Sequence, residues 1–445
     1  MADRGDRTRI MTSAEVGKQA GRLMRRKLRL EVEAGVDAGA SVVGTQPVVH
    51  VGTQQGNVLQ LNDEAVSRIH LEVASVGDRV RVRDLGSTNG TWLPGRVKVT
   101  DAVVPSGSRV ILGRSRVRID VLDEVVAESL SAGPGFGSMI GESEAMRAVF
   151  ALLERVAPTD ETVLITGETG VGKEVCAQSI VAQSRRRSGP LVVVDCGALP
   201  PSLLESELFG HMRGAFTGAV AEHRGAFERA NNGTLFLDEV GELPLELQTR
   251  LLRAVEQRTV RRVGGTREIP LDIRILAATN RPLEEEVNRG TFRADLFYRL
   301  SVVQVRIPPL RERPEDIVPL ARQILKECHV DPDATLSDLR VVEYLNRHAW
   351  PGNARELRNY LRRTSFGGNF DDPGTRPIDL PETNSEDVDL ALAFKDAKEE
   401  AIRDFERRYL EQLLARADGN ISHAARIAQT DRTYLTRLLI KHGLK

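Results

Sequence analysis

The chain has little cysteine, no long apolar run and almost no net charge. Its three cysteines, Cys176, Cys196 and Cys328, lie far apart and form no Cys-x-x-Cys pair. That spacing argues against a disulfide framework or a zinc site and fits a reducing cytosol. No run of about 18 apolar residues occurs, and the Arg-rich residues 1–30 lack the apolar centre of a signal peptide. We therefore expect a soluble, cytoplasmic protein.

The charge balance limits what the whole surface can bind. Lys and Arg number 62 against 63 Asp and Glu, for a net charge of −1, so any surface that binds nucleic acid must be local. The 445 residues are enough for roughly two to four domains.

The region 40–122 has the alternation of half-buried β-strands. Val80 and Val82, for example, alternate with arginines, and such period-two patterns predict a sandwich of short strands. We expect a basic tail over 1–39 before it and a Gly/Ser/Pro linker over 123–138 after it.

From residue 139 the pattern changes to short apolar runs that end at polar motifs and are separated by helical spacing. Leu247, Leu251 and Val255, at intervals of four, mark one face of such a helix. Buried strands that alternate with helices predict a parallel α/β sheet. The remaining boundaries are 139–309 for this α/β region, 310–366 for a wholly helical region, which the resemblance described below implies is a lid, 367–390 for an acidic linker and 391–445 for a helical C-terminal domain.

A glycine-rich loop follows the apolar run Val163 to Thr166 and precedes a helix. Its backbone N–H groups can cradle phosphates, and Lys173 can reach the β- and γ-phosphates. Glu174 stands where the general pattern has the Ser or Thr that binds Mg²⁺, so a chance glycine-rich turn is the alternative. The expected ATP-binding residues of this loop are Gly167, Glu168, Thr169, Gly170, Val171, Gly172, Lys173 and Glu174.

Two carboxylates follow a second apolar strand. Asp238 suits a ligand to Mg²⁺, and Glu239 suits a residue that orients the attacking water. A solvated acidic strand end is the alternative, but it is uncommon after a phosphate-binding loop in the same sheet. Together the two motifs predict ATP hydrolysis.

A second glycine-rich segment lies between these motifs. It cannot hold a helix or a strand by propensity, and it carries one phenylalanine. A tight turn with Phe216 in the core is the simpler interpretation; a loop that touches a partner when the nucleotide state changes is the one its position favours. The segment consists of Gly214, Ala215, Phe216, Thr217, Gly218 and Ala219.

The region 139–366 resembles the AAA+ domain of the NtrC-type bacterial enhancer-binding proteins, which activate sigma-54 RNA polymerase. The resemblance rests on Glu205 to His211, which leads into Gly214 to Ala219, and on Phe292 to Leu296 and Trp350 to Leu357. It implies an ATPase that uses ATP and Mg²⁺, acts as a hexameric ring and contacts sigma-54 through the GAFTGA loop, Gly214 to Ala219.

The resemblance also assigns roles to single residues. Asn280 would sense the γ-phosphate, and Arg355 on the lid would read the nucleotide of its own subunit. Arg293 and Arg299 would act as fingers on the ATP of a neighbouring subunit. Asp195 departs from the family, which has an Asn there that holds the catalytic Glu. We therefore expect an altered switch. Met212 replaces a Glu that is common just before the loop, and we expect this to change how the loop is held between cycles.

The C-terminal region reads as two short helices joined by a turn near Gln429 to Asp431. This fits a helix-turn-helix, with an ordinary helical hairpin as the alternative. The stretch resembles the Fis-type DNA-binding domain, which implies upstream enhancer DNA as a partner and a dimer formed through the helix at about 394–416. The expected DNA-contacting residues are Arg432, Thr433, Tyr434, Thr436, Arg437 and Lys441.

The region 40–122 resembles the forkhead-associated (FHA) domain, a β-sandwich that binds phosphothreonine peptides. The likeness is carried by Ser67 to His70 and Asp84 to Thr91. It implies that Ser67, Arg68, Thr88 and Asn89 meet the phosphopeptide and that His70 braces the loops. Thr53 stands where the family often has a phosphate-binding Arg, so a loop network without a ligand is the alternative.

The expected architecture is therefore an all-β FHA-like sandwich, an α/β AAA+ domain with a helical lid and an all-α helix-turn-helix. It predicts a sigma-54-dependent activator that senses a phosphothreonine protein. Two other classes stay open: a AAA+ remodeller of another protein target, and a DNA-binding regulator with weak ATPase activity.

Overall fold

The structure is a computed structural model, and it describes residues 22–216, 219–365, 407, 410, 413, 417, 421, 424, 430 and 432–442. The chain forms two compact units, Met1–Gly368 and Asn369–Lys445. Among the described residues no helix is both long and apolar enough to cross a bilayer. Cys176, Cys196 and Cys328 are free thiols.

The first unit begins with a sandwich of two sheets. One has the strand order β2-β1-β11-β10-β7-β8 and the other β4-β3-β5-β6-β9. Val80 and Val82 are fully buried between the sheets, which confirms the alternation seen in the sequence. The strands are β1 (Arg22–Ala34), β2 (Ser41–Gly44), β3 (Val49–Gly52), β4 (Leu59–Gln60), β5 (Leu71–Val76), β6 (Arg79–Asp84), β7 (Thr91–Leu93), β8 (Val97–Val99), β9 (Asp101–Pro105), β10 (Ser108–Leu112) and β11 (Ser115–Ser129).

The sandwich extends past both ends of the expected range 40–122. β1 lies within the predicted basic tail, and the end of β11 lies within the predicted linker 123–138; the two strands pair antiparallel, with Leu30 opposite Ile119. Both assignments are corrected here. Lys27, Arg29, Glu31 and Glu33 of β1 alternate with Leu28, Leu30 and Val32, which are buried, so the segment is a strand with one charged face.

The second part of this unit is a parallel sheet with the order β15-β16-β19-β14-β20, as the sequence predicted. The β16 side chains of residues 234–237 are buried, since helices cover both faces of such sheets. The strands are β14 (Val163–Thr166), β15 (Leu191–Asp195), β16 (Thr234–Asp238), β19 (Arg274–Thr279) and β20 (Val303–Arg306). Short pairs add β12 (Gly135–Phe136) with β13 (Met139–Ile140) and β17 (Thr259–Val260) with β18 (Ile269–Pro270).

The helices of the first unit either cover this sheet or form the lid. Leu247, Leu251 and Val255 of α5 are buried in an apolar cluster that also contains Leu235 and Leu237 of the sheet, as their spacing predicted. The helices are α1 (Glu144–Val156), α2 (Lys173–Ala182), α3 (Pro201–Phe209), α4 (Ala226–Arg229), α5 (Leu245–Gln257), α6 (Leu283–Arg289), α7 (Ala294–Leu300), α8 (Ile317–Glu327), α9 (Pro332–Leu336), α10 (Leu339–Arg347) and α11 (Asn353–Ser365), with short 3₁₀ helices at Val240–Glu242, Leu310–Glu312 and Pro314–Asp316. The last four α-helices make the predicted lid.

The second unit contains α12 (Arg432–Lys441), where the sequence predicted the second helix of a helix-turn-helix. Its Leu435 and Leu439 are buried in an apolar cluster with Leu410, Leu413, Ala417 and Ala424. The predicted linker 367–390 and most of the predicted helix 394–416 lie outside the described residues, as do Thr217 and Gly218 of the GAFTGA loop.

Candidate nucleotide site and partner-binding loops

The glycine-rich loop joins β14 to the N-terminus of α2. Gly170 and Gly172 have positive φ angles of 81° and 107°, so successive N–H groups can turn toward one anion. A Cβ on Gly170 would lie 2.3 Å from the carbonyl oxygen of Gly352 in the lid. Only glycine fits at that position, and the loop and lid are therefore in direct contact. Glu174 lies in the first turn of α2 and accepts a hydrogen bond from Gln178 at 3.1 Å.

A polar network joins the ends of three strands. Lys173 Nζ donates to the carbonyl of Gly167 at 3.1 Å and lies 3.3 Å from the Glu239 carboxylate. Glu239 also accepts the backbone N–H of Asn280 at 3.0 Å, while Asn280 Nδ2 donates to Thr169 Oγ1 at 3.0 Å. The structure thus brings together residues that are more than 100 positions apart and that the sequence assigned to one site.

Asp238 lies at the carboxyl end of β16, half-buried beside other acidic groups. Its pKa is raised, mainly because burial disfavours the charged carboxylate, and also because Glu239 and Asp195 add negative potential. Asp195 is the register partner of Asp238 on β15. Asp195 is exposed, and its carboxylate accepts the N–H of Gly197 at 2.9 Å.

The lid contacts the loop through residues that the sequence assignment left out. Asn353 is fully buried; its amide donates to the Thr169 carbonyl at 3.1 Å and to Glu168 at 3.2 Å, and its oxygen accepts the Leu310 N–H at 2.7 Å. Arg311 makes two further bonds to Glu168 at 2.8 and 2.5 Å and thereby lowers the pKa of that carboxyl. The Gly-Asn pair of the Trp350 to Leu357 motif was the available signal, since Asn tolerates the positive φ of 54° found here.

Three arginines were predicted to act on ATP. One lies near the glycine-rich loop, and the other two lie at the surface of the domain. Arg355 is exposed, and its backbone N–H donates to the Gly170 carbonyl at 3.3 Å. Arg293 precedes α7 and pairs with Asp295 at 2.7 Å. Arg299, on α7, lies 3.7 Å from Glu256. Arg293 and Arg299 are both at the surface, with side chains 41% and 52% exposed.

The GAFTGA loop is tied at its base, and its Phe216 is partly exposed. His211 and His223 exchange backbone hydrogen bonds at 3.1 and 2.9 Å, and Gly214 N–H donates to the Ala219 carbonyl at 2.8 Å. Phe216 is 42% exposed and its ring packs edge-on to His211, with centroids 4.9 Å apart. The side chain therefore lies on the loop surface and not in the core.

Met212 stands at the foot of this loop. It is 38% exposed, and its N–H donates to the Val263 carbonyl at 3.0 Å. A neighbouring segment, residues 261–265, thus supports the loop through its main chain.

The loops of the sandwich converge around Ser67. Ser67 Oγ accepts the Thr88 N–H at 3.0 Å, and Asn89 Nδ2 donates to the Ala65 carbonyl at 2.7 Å. His70 is buried; its Nδ1 accepts the Ser67 N–H at 3.0 Å, and burial lowers its pKa. His70 thus braces the loop that carries Arg68, while Arg68, Thr88 and Asn89 stay exposed.

The expected DNA-contacting residues lie on α12. The turn from Leu435 to Leu439 is buried on one side, whereas Arg437 and Lys441 are exposed and Thr436 is half-buried. The helix therefore presents basic side chains away from its apolar cluster. Arg432, Thr433 and Tyr434 lie in its first turn, and their side chains are outside the described set.

Comparison with known families agrees with this arrangement along the chain. Residues 49–113 match the FHA domain, 139–306 the sigma-54 interaction domain, 311–383 the AAA+ ATPase lid domain and 401–437 the bacterial regulatory protein, Fis family.

Three relatives show how far the likeness extends. The DNA-binding transcriptional activator HyfR of Escherichia coli K12 is 50% identical over 240 residues, which are 54% of this chain and 36% of HyfR. The regulatory protein AtoC of the same organism is 41% identical over 323 residues, which are 71% of this chain and 70% of AtoC. A crystal structure of NtrX from Brucella abortus in complex with ATP is 37% identical, covers 70% of each chain and has a TM-score of 0.49.

The chain thus spans about a third of HyfR but more than two thirds of AtoC. With the sigma-54 interaction, lid, FHA and Fis-family matches in this order, the chain belongs to the family of sigma-54-dependent transcriptional activators and carries an FHA domain, an AAA+ ATPase domain with its lid and a Fis-type helix-turn-helix.

Proposed function

We propose that this protein hydrolyses ATP as a ring and uses the cycle to remodel the closed complex of sigma-54 RNA polymerase. The observation that carries the proposal is the convergence of Lys173, Asp238, Glu239 and Asn280 at one edge of the parallel sheet, in a chain that also has a tethered loop with an exposed Phe216. We also propose the expected cytoplasmic location and hexamer.

The residues fit a Mg²⁺–ATP complex. Glycines at positive φ and the buried Lys173 are suited to binding phosphate. The pKa of Asp238 is raised, and a bound cation would favour the ionised form of this carboxyl group. Within the described residues no group of three or more His, Cys, Asp or Glu is arranged to hold a metal. Asp238 would therefore bind Mg²⁺ together with phosphate and water oxygens, as this ion prefers. The bound ion would neutralise charge that develops on the phosphates.

The chain's own groups then divide the work. Lys173 binds the β- and γ-phosphates, Glu239 orients the attacking water and Asn280 reports on the γ-phosphate through Thr169 and Glu239. Arg293 and Arg299 supply positive charge to the ATP of the neighbouring subunit, and Arg355 reads the nucleotide from the lid. An ATPase assay that compares the native chain with Lys173→Ala tests this assignment against the alternative of a weak ATPase.

The GAFTGA loop is the proposed contact to sigma-54. Phe216→Ala removes the exposed ring, and Val220→Ala is a matched control because Val220 is 80% exposed just outside the loop. We expect Phe216→Ala to keep ATP hydrolysis and to lose transcription by sigma-54 holoenzyme, and Val220→Ala to keep both. Transcription that survives in both variants would favour a AAA+ remodeller of another target.

We further propose that Ser67, Arg68, Thr88 and Asn89 bind a phosphothreonine segment. The loops are held in place by buried His70 and by Asp84, which accepts hydrogen bonds from Ser87 and Thr91, so the exposed donors are preorganised for an anion. Titration with a phosphothreonine peptide pool tests this, and affinity that does not depend on Arg68 would refute it.

The helix-turn-helix is the proposed contact to upstream DNA, with Arg432, Thr433, Tyr434, Thr436, Arg437 and Lys441 on the recognition helix. Footprinting with in vitro transcription, with and without ATP, links the three activities in one experiment. DNA protection without ATP-dependent transcription would contradict the proposed activator.

A further inference from the structure

The loops of the FHA domain that carry the proposed phosphate ligands also touch the ATPase. Ile69 and Leu85 are 0% and 2% exposed, and they pack in the same apolar cluster as Leu283, Val287 and Phe297 of the AAA+ domain. The interior of the sandwich forms a separate cluster. The two loops thus bury apolar side chains in the neighbouring domain.

Asn288, near the end of α6, forms hydrogen bonds with the main chain of both loops. Its Nδ2 donates to the carbonyls of Ile69 at 2.6 Å and Leu85 at 2.8 Å, and its Oδ1 accepts the Ile69 N–H at 3.4 Å. Arg83 on β6 adds an ion pair to Glu285 at 3.3 Å. The contact, defined here as the docking surface, therefore combines apolar burial with polar partners that fix its register.

Arg68 itself belongs to the docking surface. Its Nη1 donates to the carbonyl of Val287 at 3.3 Å. A phosphate dianion offers this guanidinium shorter and stronger charge-assisted bonds than a carbonyl does. Since Arg68 remains exposed, a phosphopeptide can reach it from solvent, but a peptide laid across both loops would collide with α6.

The docked sandwich also lies beside a proposed arginine finger. A cavity of about 430 Å³ separates the domains there, and it is lined from the sandwich by Gln54 and Arg68 and from the ATPase by Phe292, Arg293 and Asp295. Nearby, the ring of Tyr298 on α7 would lie 2.6 Å from a Cβ on Gly56. If Arg293 is to reach the ATP of a neighbouring subunit, that subunit must approach the face of the ATPase on which the sandwich is docked.

We propose that the docking surface holds the ATPase in an unassembled state and that a phosphothreonine segment releases it by competing for Arg68 and the two loops. This rests on the proposed phosphothreonine binding and on the proposed fingers in trans. The FHA domain is then a repressor of ring assembly in the absence of its ligand and an activator in its presence.

The test uses the full chain, a phosphothreonine peptide pool and the same pool without phosphate. Asn288→Ala removes three hydrogen bonds of the docking surface and no proposed catalytic group. We expect phosphopeptide affinity to rise about tenfold, because each net bond changes an equilibrium several-fold. We also expect rings, and ATPase activity per subunit, at concentrations where the native chain stays small unless the phosphopeptide is added. Sedimentation and turnover measure both.

A charge exchange provides an independent variant. Arg83→Glu should release the domain by repulsion from Glu285, and Arg83→Glu with Glu285→Arg should restore docking. Arg79→Glu is the matched control, because Arg79 lies exposed on the same strand and bonds within the sandwich to the Val103 carbonyl. It should leave assembly unchanged.

The outcomes separate the two proposals. If the native chain and Asn288→Ala bind phosphopeptide equally and assemble alike, competition at the docking surface is overturned while phosphothreonine binding stands. If neither binds the phosphopeptide, the proposed ligand fails and release by phosphate fails with it. Assembly in Asn288→Ala would then still support the repressing contact, and its absence would refute that contact as well.

Discussion

The buried amide of Asn353 is expected to hold the lid on the phosphate-binding loop. Its removal leaves the fully buried N–H group of Leu310 without an acceptor, at a cost of about 1–3 kcal/mol, and the bonds to Glu168 and Thr169 add about 1 kcal/mol each. We therefore expect Asn353→Ala and Asn353→Gly to lower the free energy of unfolding of the lid by about 3–5 kcal/mol.

The two variants differ in their backbone. Asn353 has a φ of 54°, where alanine meets a strain of about 1–2 kcal/mol that glycine avoids. Glycine instead gains about 0.5–1 kcal/mol of chain freedom on unfolding, so Ala should be destabilised at least as much as Gly. Nucleotide affinity should fall in both, because the lost bonds join loop and lid.

The assay is urea unfolding followed by the fluorescence of Trp350, which is 1% exposed and lies three residues away. The chain has two tryptophans, so Trp92→Phe leaves a single reporter in the lid. Asn359→Ala, an exposed Asn on the same helix, is the control and should change stability by less than about 0.5 kcal/mol. A loss below about 1 kcal/mol in both Asn353 variants would refute the reasoning, since one unsatisfied buried group already costs that much.

Three more predictions address catalysis, pH and DNA. Glu239→Gln should reduce ATP turnover by about 100-fold or more while nucleotide affinity is kept, because Gln retains an oxygen for the Asn280 N–H; an equal loss of both in parallel binding and rate measurements would contradict the assigned role. Burial lowers the pKa of His70, so the unfolded chain binds a proton that the folded sandwich excludes. The stability that neutral, buried His70 contributes is present above about pH 6.5, and it is lost as the pH falls toward the pKa of His70 in the folded chain. Hydrogen exchange in β5 and β6, corrected for the intrinsic rate, should accelerate from about pH 7 to 5, and His70→Gln should remove the pH-dependent part; an unchanged pH profile in that variant would count against it. Arg437→Ala should reduce the slope of log affinity against log salt by about one in anisotropy titrations with target DNA, and an identical slope would place Arg437 away from phosphate.

The sequence was sufficient wherever neighbours along the chain fix the structure. Val80 and Val82 predicted a strand buried on one face, and the order of apolar run, glycine-rich loop and helix predicted the site of Lys173. The prediction from local pattern was wrong at β1. Charged residues outnumber apolar ones there, so the segment was assigned to a basic tail although Leu28, Leu30 and Val32 alternate as in a strand. Pairing with β11, far along the chain, supplies the hydrogen bonds and burial that make it a strand.

Sequence alone also predicted the residue types of the proposed catalytic site, because phosphate, a hard cation and a water nucleophile each need a particular side chain. The tertiary structure decided which distant groups meet. Asn353 reaches the loop, Asp195 points to Gly197 and Arg68 lies against Val287. Such contacts depend on how separately folded layers pack, and packing is set by shape and buried area over the whole surface, which no short pattern of residues encodes.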